Sequence, residues 1–201
     1  MGKLIYIAVA SLDGFMSDLS DPDTDPTWGL PNAAFYSSIN ELHRTVGTYL
    51  YGRRMFETMS VWDSAHVDPD APALTPGLKD HEREFARQWR AADKVVFSKT
   101  LGQVSLKRTR IERVVDPDAI RTFKATSEQD ITVGGPHLAA AMIATNLVDE
   151  FHVYIHPVIL GGGIAWLPRD LHARLEIAAE HRLGDIVHLH YRTASSDQRF
   201  T

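Results

Sequence analysis

Apolar residues along this chain follow two alternating spacings. Leu4 to Ala10 (LIYIAVA) is an unbroken apolar run, the pattern of a strand buried on both faces of a sheet. Thr48–Tyr51, Lys94–Ser98 (KVVFS) and Asp130–Val133 repeat it in shorter form, and Phe151, Val153 and Ile155 mark a strand over 150–158. Between these runs the spacing turns helical. Phe35, Ile39, Leu42 and Val46 predict a helix from Pro31 or Asn32 to about Val46, with Gly47 closing it. Met55–Met59 predicts a short helix. Lys79–Ala92 predicts an amphipathic one with Phe85, Trp89 and Ala92 on one face. Two more helices are expected, from Asp116 or Pro117 to about Ala125 and from His137 to Asn146, with a small strand at Arg113–Val115. Leu175–Leu183 and Ile186–Thr193 flank Gly184-Asp185 and predict a β-hairpin. The alternation predicts one α/β domain over 1–201, a mixed, mostly parallel central sheet with helices on both faces and the hairpin at or near its edge. Residues 17–32 are rich in Asp and Pro and should form an irregular loop carrying Trp28. Pro69, Pro72 and Pro76 mark 60–77 as a mobile surface segment.

Composition narrows the class without choosing a function. A chain of 201 residues, 44% hydrophobic and 23% charged, can bury one good core. A net charge of −5 implies neither a nucleic-acid nor an acidic-membrane partner. With no cysteine there is no disulfide and no thiolate metal or catalytic site. The first apolar run is too short for a signal peptide or membrane span, so the cytoplasm is the expected compartment.

The densest chemistry lies between Asp130 and Gly163. A β-branched strand stops at Gly134-Gly135, and Pro136 suits the first position of the alanine-rich helix that follows. Strand, glycine turn and helix N-terminus together make an anion site, because backbone can approach a phosphate and the helix end offers free N–H groups. The plain alternative is a turn that needs glycine only for packing. Neither GxGxxG nor a P-loop is present. Arg53 and Arg54 follow Gly52 at a strand end and are either phosphate contacts or solvated surface. Asp13 either caps its Asp-Gly turn or reaches a substrate, and Trp28 either stacks on one or closes a small core. His152 and His156, and likewise His188 and His190, share strand faces. With no thiol, and with Glu150 and Asp185 placed at strand ends, the expectation is histidines covering a sheet and no metal. No Gly-x-Ser-x-Gly or His-Glu-x-x-His pattern supports a hydrolase.

Five motifs then fall in order: Ser11-Leu12-Asp13-Gly14-Phe15, Tyr51-Gly52-Arg53-Arg54-Met55-Phe56-Glu57, Val96-Phe97-Ser98-Lys99-Thr100, Val133-Gly134-Gly135-Pro136 and Pro157-Val158-Ile159-Leu160-Gly161-Gly162-Gly163. Across nearly the whole chain this resembles the dihydrofolate-reductase-like family, in the branch of the reductase domain of the bifunctional riboflavin-synthesis deaminase-reductase. The resemblance implies a three-layer α/β domain and an NADPH-dependent, homodimeric reductase of a small pyrimidine- or pterin-like substrate. It implies that Gly134, Gly135, Pro136 and His137 lie against the cofactor pyrophosphate, and that Gly52, Arg53 and Arg54 contact its phosphates. Ser98 and Lys99 would flank the adenine ribose, and Ala8 and Val9 the nicotinamide. Asp13 would be catalytic and near the substrate, with Phe15 and Trp28 on the substrate side. One departure stands out. Folate reductases carry a carboxylate on the inward face of the first long helix, where this chain has Tyr36; its only acid there is Glu41. That favours the riboflavin branch over dihydrofolate reduction, and a non-catalytic nucleotide-binding protein on the same fold is the rival class.

Overall fold

The computed structural model describes residues 1–16, 28–64, 78–169 and 171–194. The proposed loop of 17–32 falls largely, and the mobile segment of 60–77 mostly, outside the described residues; the exceptions are Trp28–Asn32 and a short helix at Val61–Ser64. In chain order the elements are β1 (Leu4–Ser11), β2 (Phe15–Met16), α1 (Ala33–His43), β3 (Val46–Gly52), α2 (Arg53–Met59), α3 (Val61–Ser64), α4 (Asp80–Ala91) and β4 (Asp93–Phe97). They continue as β5 (Thr109–Glu112), α5 (Pro117–Thr126), β6 (Asp130–Gly134), α6 (Pro136–Ala144), β7 (Glu150–His156), β8 (Ile164–Ala165), β9 (Leu175–Leu183) and β10 (Ile186–Thr193).

An eight-stranded sheet runs β5-β4-β3-β6-β1-β7-β10-β9. All pairings from β5 to β7 are parallel, and β10 is antiparallel to both β7 and β9. The apolar run of β1 is therefore in the middle, and the hairpin forms one edge, as the pattern predicts. Successive side chains of β1 go to opposite faces. Leu4, Tyr6, Ala8 and Ala10 join Ile120 of α5 and Leu138 and Met142 of α6 in one cluster. Ile7 and Val9 pack against the other, which holds Phe35 and Ile39 of α1 and Phe85 and Trp89 of α4. Buried Lys94 closes α4, its amine donating to the carbonyls of Trp89 and Ala92.

The structure moves two boundaries. The first helix ends at His43 rather than near Val46, because Val46 pairs with Asp130 in the ladder. Gly47 is no helix stop: it sits in β3, where a Cβ would run into the side chain of Gln129. The small strand lies at Thr109–Glu112, before the expected Arg113–Val115, and Arg113 donates instead to the carbonyls of Ser98 and Leu101. Among the described residues no helix is long and apolar enough to cross a membrane.

His43 closes α1 from inside the core, its Nδ1 3.2 Å from the Tyr49 hydroxyl. Burial pushes its pKa down to about 3. A depressed folded-state value means the unfolded chain binds the proton first. Stability is therefore complete above the unfolded value near 6.5 and is lost as pH falls from there toward about 3. Urea unfolding should show that His43→Leu removes roughly 2 kcal/mol of the wild-type loss between pH 7 and 5. Parallel pH dependences would mean that His43 is solvated in the folded chain.

Candidate functional site

Parallel pairing brings the carboxyl ends of β1, β3 and β6 to one edge of the sheet, the edge where open α/β sheets bind ligands. There Gly52 leads into α2 and Gly134-Gly135 into α6. Gly135 has φ +91°, a conformation side chains rarely adopt, and it turns the chain from β6 into α6. A Cβ on Gly134 would stand 2.7 Å from the buried Tyr51 ring, so only glycine fits that turn. Pro136 occupies the first helical turn, no side chain caps the helix, and no acid lies in that turn. The free N–H groups and partial positive charge of α6 therefore face outward without a counter-charge.

A cavity of about 960 Å³ opens at this edge. That is the upper end of the roughly 300–1,000 Å³ of small-molecule sites. Its lining brings together Val9, Trp28, Gly52, Arg53, Arg54, Gly134, Gly135, Pro136 and His137. The pairing of Phe15–Met16 with Ile164–Ala165 adds Met16 and Ile164 as an apolar wall. The two arginines differ. Arg53 is already engaged, with Nε 2.7 Å from Glu57 Oε1 and a guanidinium nitrogen 3.1 Å from Thr100 Oγ1. Arg54 is exposed, and no hydrogen bond or ion pair occupies its guanidinium among the described residues. Trp28 meets His156 edge-to-face at 5.6 Å between ring centroids.

Residues 2–178 match the family model of the RibD C-terminal domain. The chain belongs to that family. Uncharacterized protein YyaP of Bacillus subtilis is 27% identical over 164 residues, which is 80% of this chain and 78% of that protein. The Thermotoga maritima diaminohydroxyphosphoribosylaminopyrimidine deaminase/5-amino-6-(5-phosphoribosylamino)uracil reductase superposes with a TM-score of 0.63 at 11% identity, over 96% of this chain and 57% of its own. A pyrimidine reductase-like protein of Corynebacterium diphtheriae gives 0.63 at 14% identity, over 97% and 93%. At such identities the two structures speak for the fold, and the fold is dihydrofolate-reductase-like.

In this RibD C-terminal domain several expected residues stand away from the cavity wall. Ala8 points into the opposite core cluster, since neighbours on a strand cannot share a face; of the pair, Val9 alone lines the cavity. The Ser98 hydroxyl is turned inward and accepts from the Thr100 and Leu101 amides, while Lys99 is exposed at the end of β4. Phe15 lies on β2 beside Gly163. Asp13 is exposed, and its carboxylate accepts from the Ser11 hydroxyl at 2.6 Å and from the amides of Leu160 and Gly161 at 3.1 and 2.7 Å. The Ser11 hydrogen bond first, then the two amides, hold its carboxyl below the usual carboxylate range. Asp13 thus pins the glycine-rich turn after β7 to the end of β1. Sequence reasoning missed Met16, Leu30, Thr58 and Ile164 on the cavity wall. Their only signal is tertiary: Met16 and Ile164 meet through β2–β8 pairing, Thr58 comes from α2, and Leu30 from the segment before α1.

The glycines make a direct test of this geometry. Gly135→Ala should cost about 1–3 kcal/mol, because φ +91° strains any side chain. Gly52→Ala has ordinary φ and an open Cβ site, and should cost less than about 1 kcal/mol. Equal losses on urea unfolding would mean that the Gly135 turn is not strained as described.

Proposed function

We propose that this chain is an NADPH-dependent reductase of a small pyrimidine- or pterin-like substrate, most like the 5-amino-6-(5-phosphoribosylamino)uracil reductase of riboflavin biosynthesis. One observation carries the reading: the uncapped N-terminus of α6, its glycine turn and the free Arg54 converge on one large cavity beside Val9. Family membership supports it, as does the reductase activity for which the Thermotoga maritima protein is named.

The residues present fit a dinucleotide. The turn brings backbone and the free N–H groups of α6 to the cavity wall: Gly134 packs against Tyr51 without a Cβ, and Gly135 takes the positive φ that starts the helix there. Gly134, Gly135, Pro136 and His137 are assigned to the pyrophosphate, Arg54 to the ribose 2′-phosphate, and Lys99, exposed beside the inward-turned Ser98 hydroxyl, to the ribose end. When bound, the nicotinamide supplies a hydride. Val9, Met16 and Ile164 would keep water from the reacting carbon, and Trp28 would cover the substrate. We assign Asp13 to positioning. Its ionised carboxylate, already bonded to Ser11, Leu160 and Gly161, holds the 160–161 turn in place, and the proton for the reduced substrate comes from water.

Dihydrofolate reduction is disfavoured by α1. Tyr36 is buried among aromatic rings, and Glu41 is exposed and paired with Arg44, so α1 offers no carboxylate to the cavity. A homodimer and a cytoplasmic location complete the proposal. Ile159, Ile177 and Val187 leave large apolar side chains exposed, as a subunit interface would. A light-scattering mass near 22.5 kDa would contradict the dimer.

Dissociation constants for NADPH and NADH separate the roles of the arginines. Loss of one charge-assisted hydrogen bond, about 1.5–3 kcal/mol, should weaken NADPH by roughly 10- to 100-fold in Arg54→Ala. NADH should barely change, and Arg53→Ala should do less to either. Equal losses for both nucleotides would remove Arg54 from 2′-phosphate recognition. Tight NADPH binding with no oxidation across pathway pyrimidines and pterins would favour the non-catalytic rival.

A further inference from the structure

Away from the cavity, β7 and β10 build a second polar cluster. Their register places His152 opposite His190 and Glu150 opposite Arg192, on one face of the sheet. A donor atom from each of Glu150, His152 and His190 lies within 4.8 Å of the others. Glu150 and His152 are 5% exposed. The two imidazoles turn Nε2 toward the same carboxylate oxygen, Glu150 Oε2, at 3.7 Å from His152 and 3.3 Å from His190. His152 Nε2 is too distant for a hydrogen bond there and has no other partner. A buried lone pair without a proton or ligand is costly.

We propose that Glu150, His152 and His190 bind one divalent cation of the zinc class. Two imidazoles and one carboxylate are a familiar donor set for such an ion. A tetrahedral centre with bonds of about 2.0–2.1 Å separates its donors by roughly 3.3 Å, near the 3.3 and 3.7 Å from the imidazole nitrogens to Glu150 Oε2. The two rings stack at 4.1 Å and 18°, so one must rotate to aim both lone pairs at one ion. The surrounding groups orient the donors. His152 Nδ1 lies 3.0 Å from His188 Nε2, and with the proton on Nδ1 the Nε2 lone pair is left facing Glu150. Lys3 holds the other Glu150 oxygen at 3.0 Å, with Arg192 at 3.6 Å, so the carboxylate binds through Oε2 alone. These two cations oppose a divalent ion and set a moderate affinity. Three protein donors leave a fourth position for water. The bound ion would join β10, and with it the edge hairpin, to β7. The expectation that acids stand apart from the histidines fails because Glu150, although first in its strand, shares their face and lies one pleat from His152.

The test titrates Co²⁺ into the full chain after chelation and reads the visible absorption of tetrahedral cobalt, with Zn²⁺ as competitor. One Co²⁺ per chain is expected, displaced by Zn²⁺, with a rise in the thermal midpoint. His190→Gln should weaken binding by at least the roughly 10- to 100-fold that loss of an outer-sphere partner costs, and Glu150→Gln likewise. His172→Gln, an exposed histidine outside the cluster, should bind as wild type. Absence of saturable binding by wild type would overturn the proposal, as would unchanged binding by folded His190→Gln. Since His190 is only half-buried, that variant decides the matter even if Glu150→Gln fails to fold.

Discussion

β1 is hydrogen-bonded on both sides to parallel neighbours, β6 and β7, and β6 is in turn parallel to β3. Parallel pairing leaves no choice about where these strands end. The turn after β1, the arginine pair after β3 and the glycine turn after β6 must all appear at one edge, and each must be followed by a crossover. The cavity follows from that constraint. Its floor is backbone that only glycine permits, its charge comes from the α6 terminus and Arg54, and its apolar side comes from Val9 with the small β2–β8 pair. Asp13 ties the last glycine-rich turn to the same edge by hydrogen bonds that keep it ionised.

The same sheet explains which parts of the fold are legible in the chain. β1, β6 and β7 are buried on both faces, so their apolar runs declare them. The glycine turn is equally visible, because its chemistry is local. Gly47 misleads, since its reason for being glycine is the close approach of Gln129, a contact with no trace in local pattern. Ala8 and Val9 show a different failure. Strand alternation alone forbids both from lining one wall, and the structure gives the place to Val9. Met16 and Ile164 could not be found at all, because they become neighbours only when β2 pairs with β8.

The histidines of β7 and β10 set a tension in the edge of the sheet. Burial pushes His152 down to about 3 and His188 to about 4, so these rings stay neutral near pH 7. Neutral, stacked imidazoles tolerate the interior, and Glu150 among them is bridged by Lys3 at 3.0 Å and Arg192 at 3.6 Å. The cavity and this cluster lie on different elements, so the proposed cofactor binding and edge stability can be read separately.

The central claim is that the Gly134-Gly135 turn and the α6 terminus hold a dinucleotide pyrophosphate. Calorimetric titration of NADPH into the wild-type chain, repeated with inorganic pyrophosphate present, tests it most directly. The account predicts one saturable site per chain that pyrophosphate weakens by competition. Saturable NADPH binding indifferent to pyrophosphate, or no binding at millimolar NADPH, would contradict it.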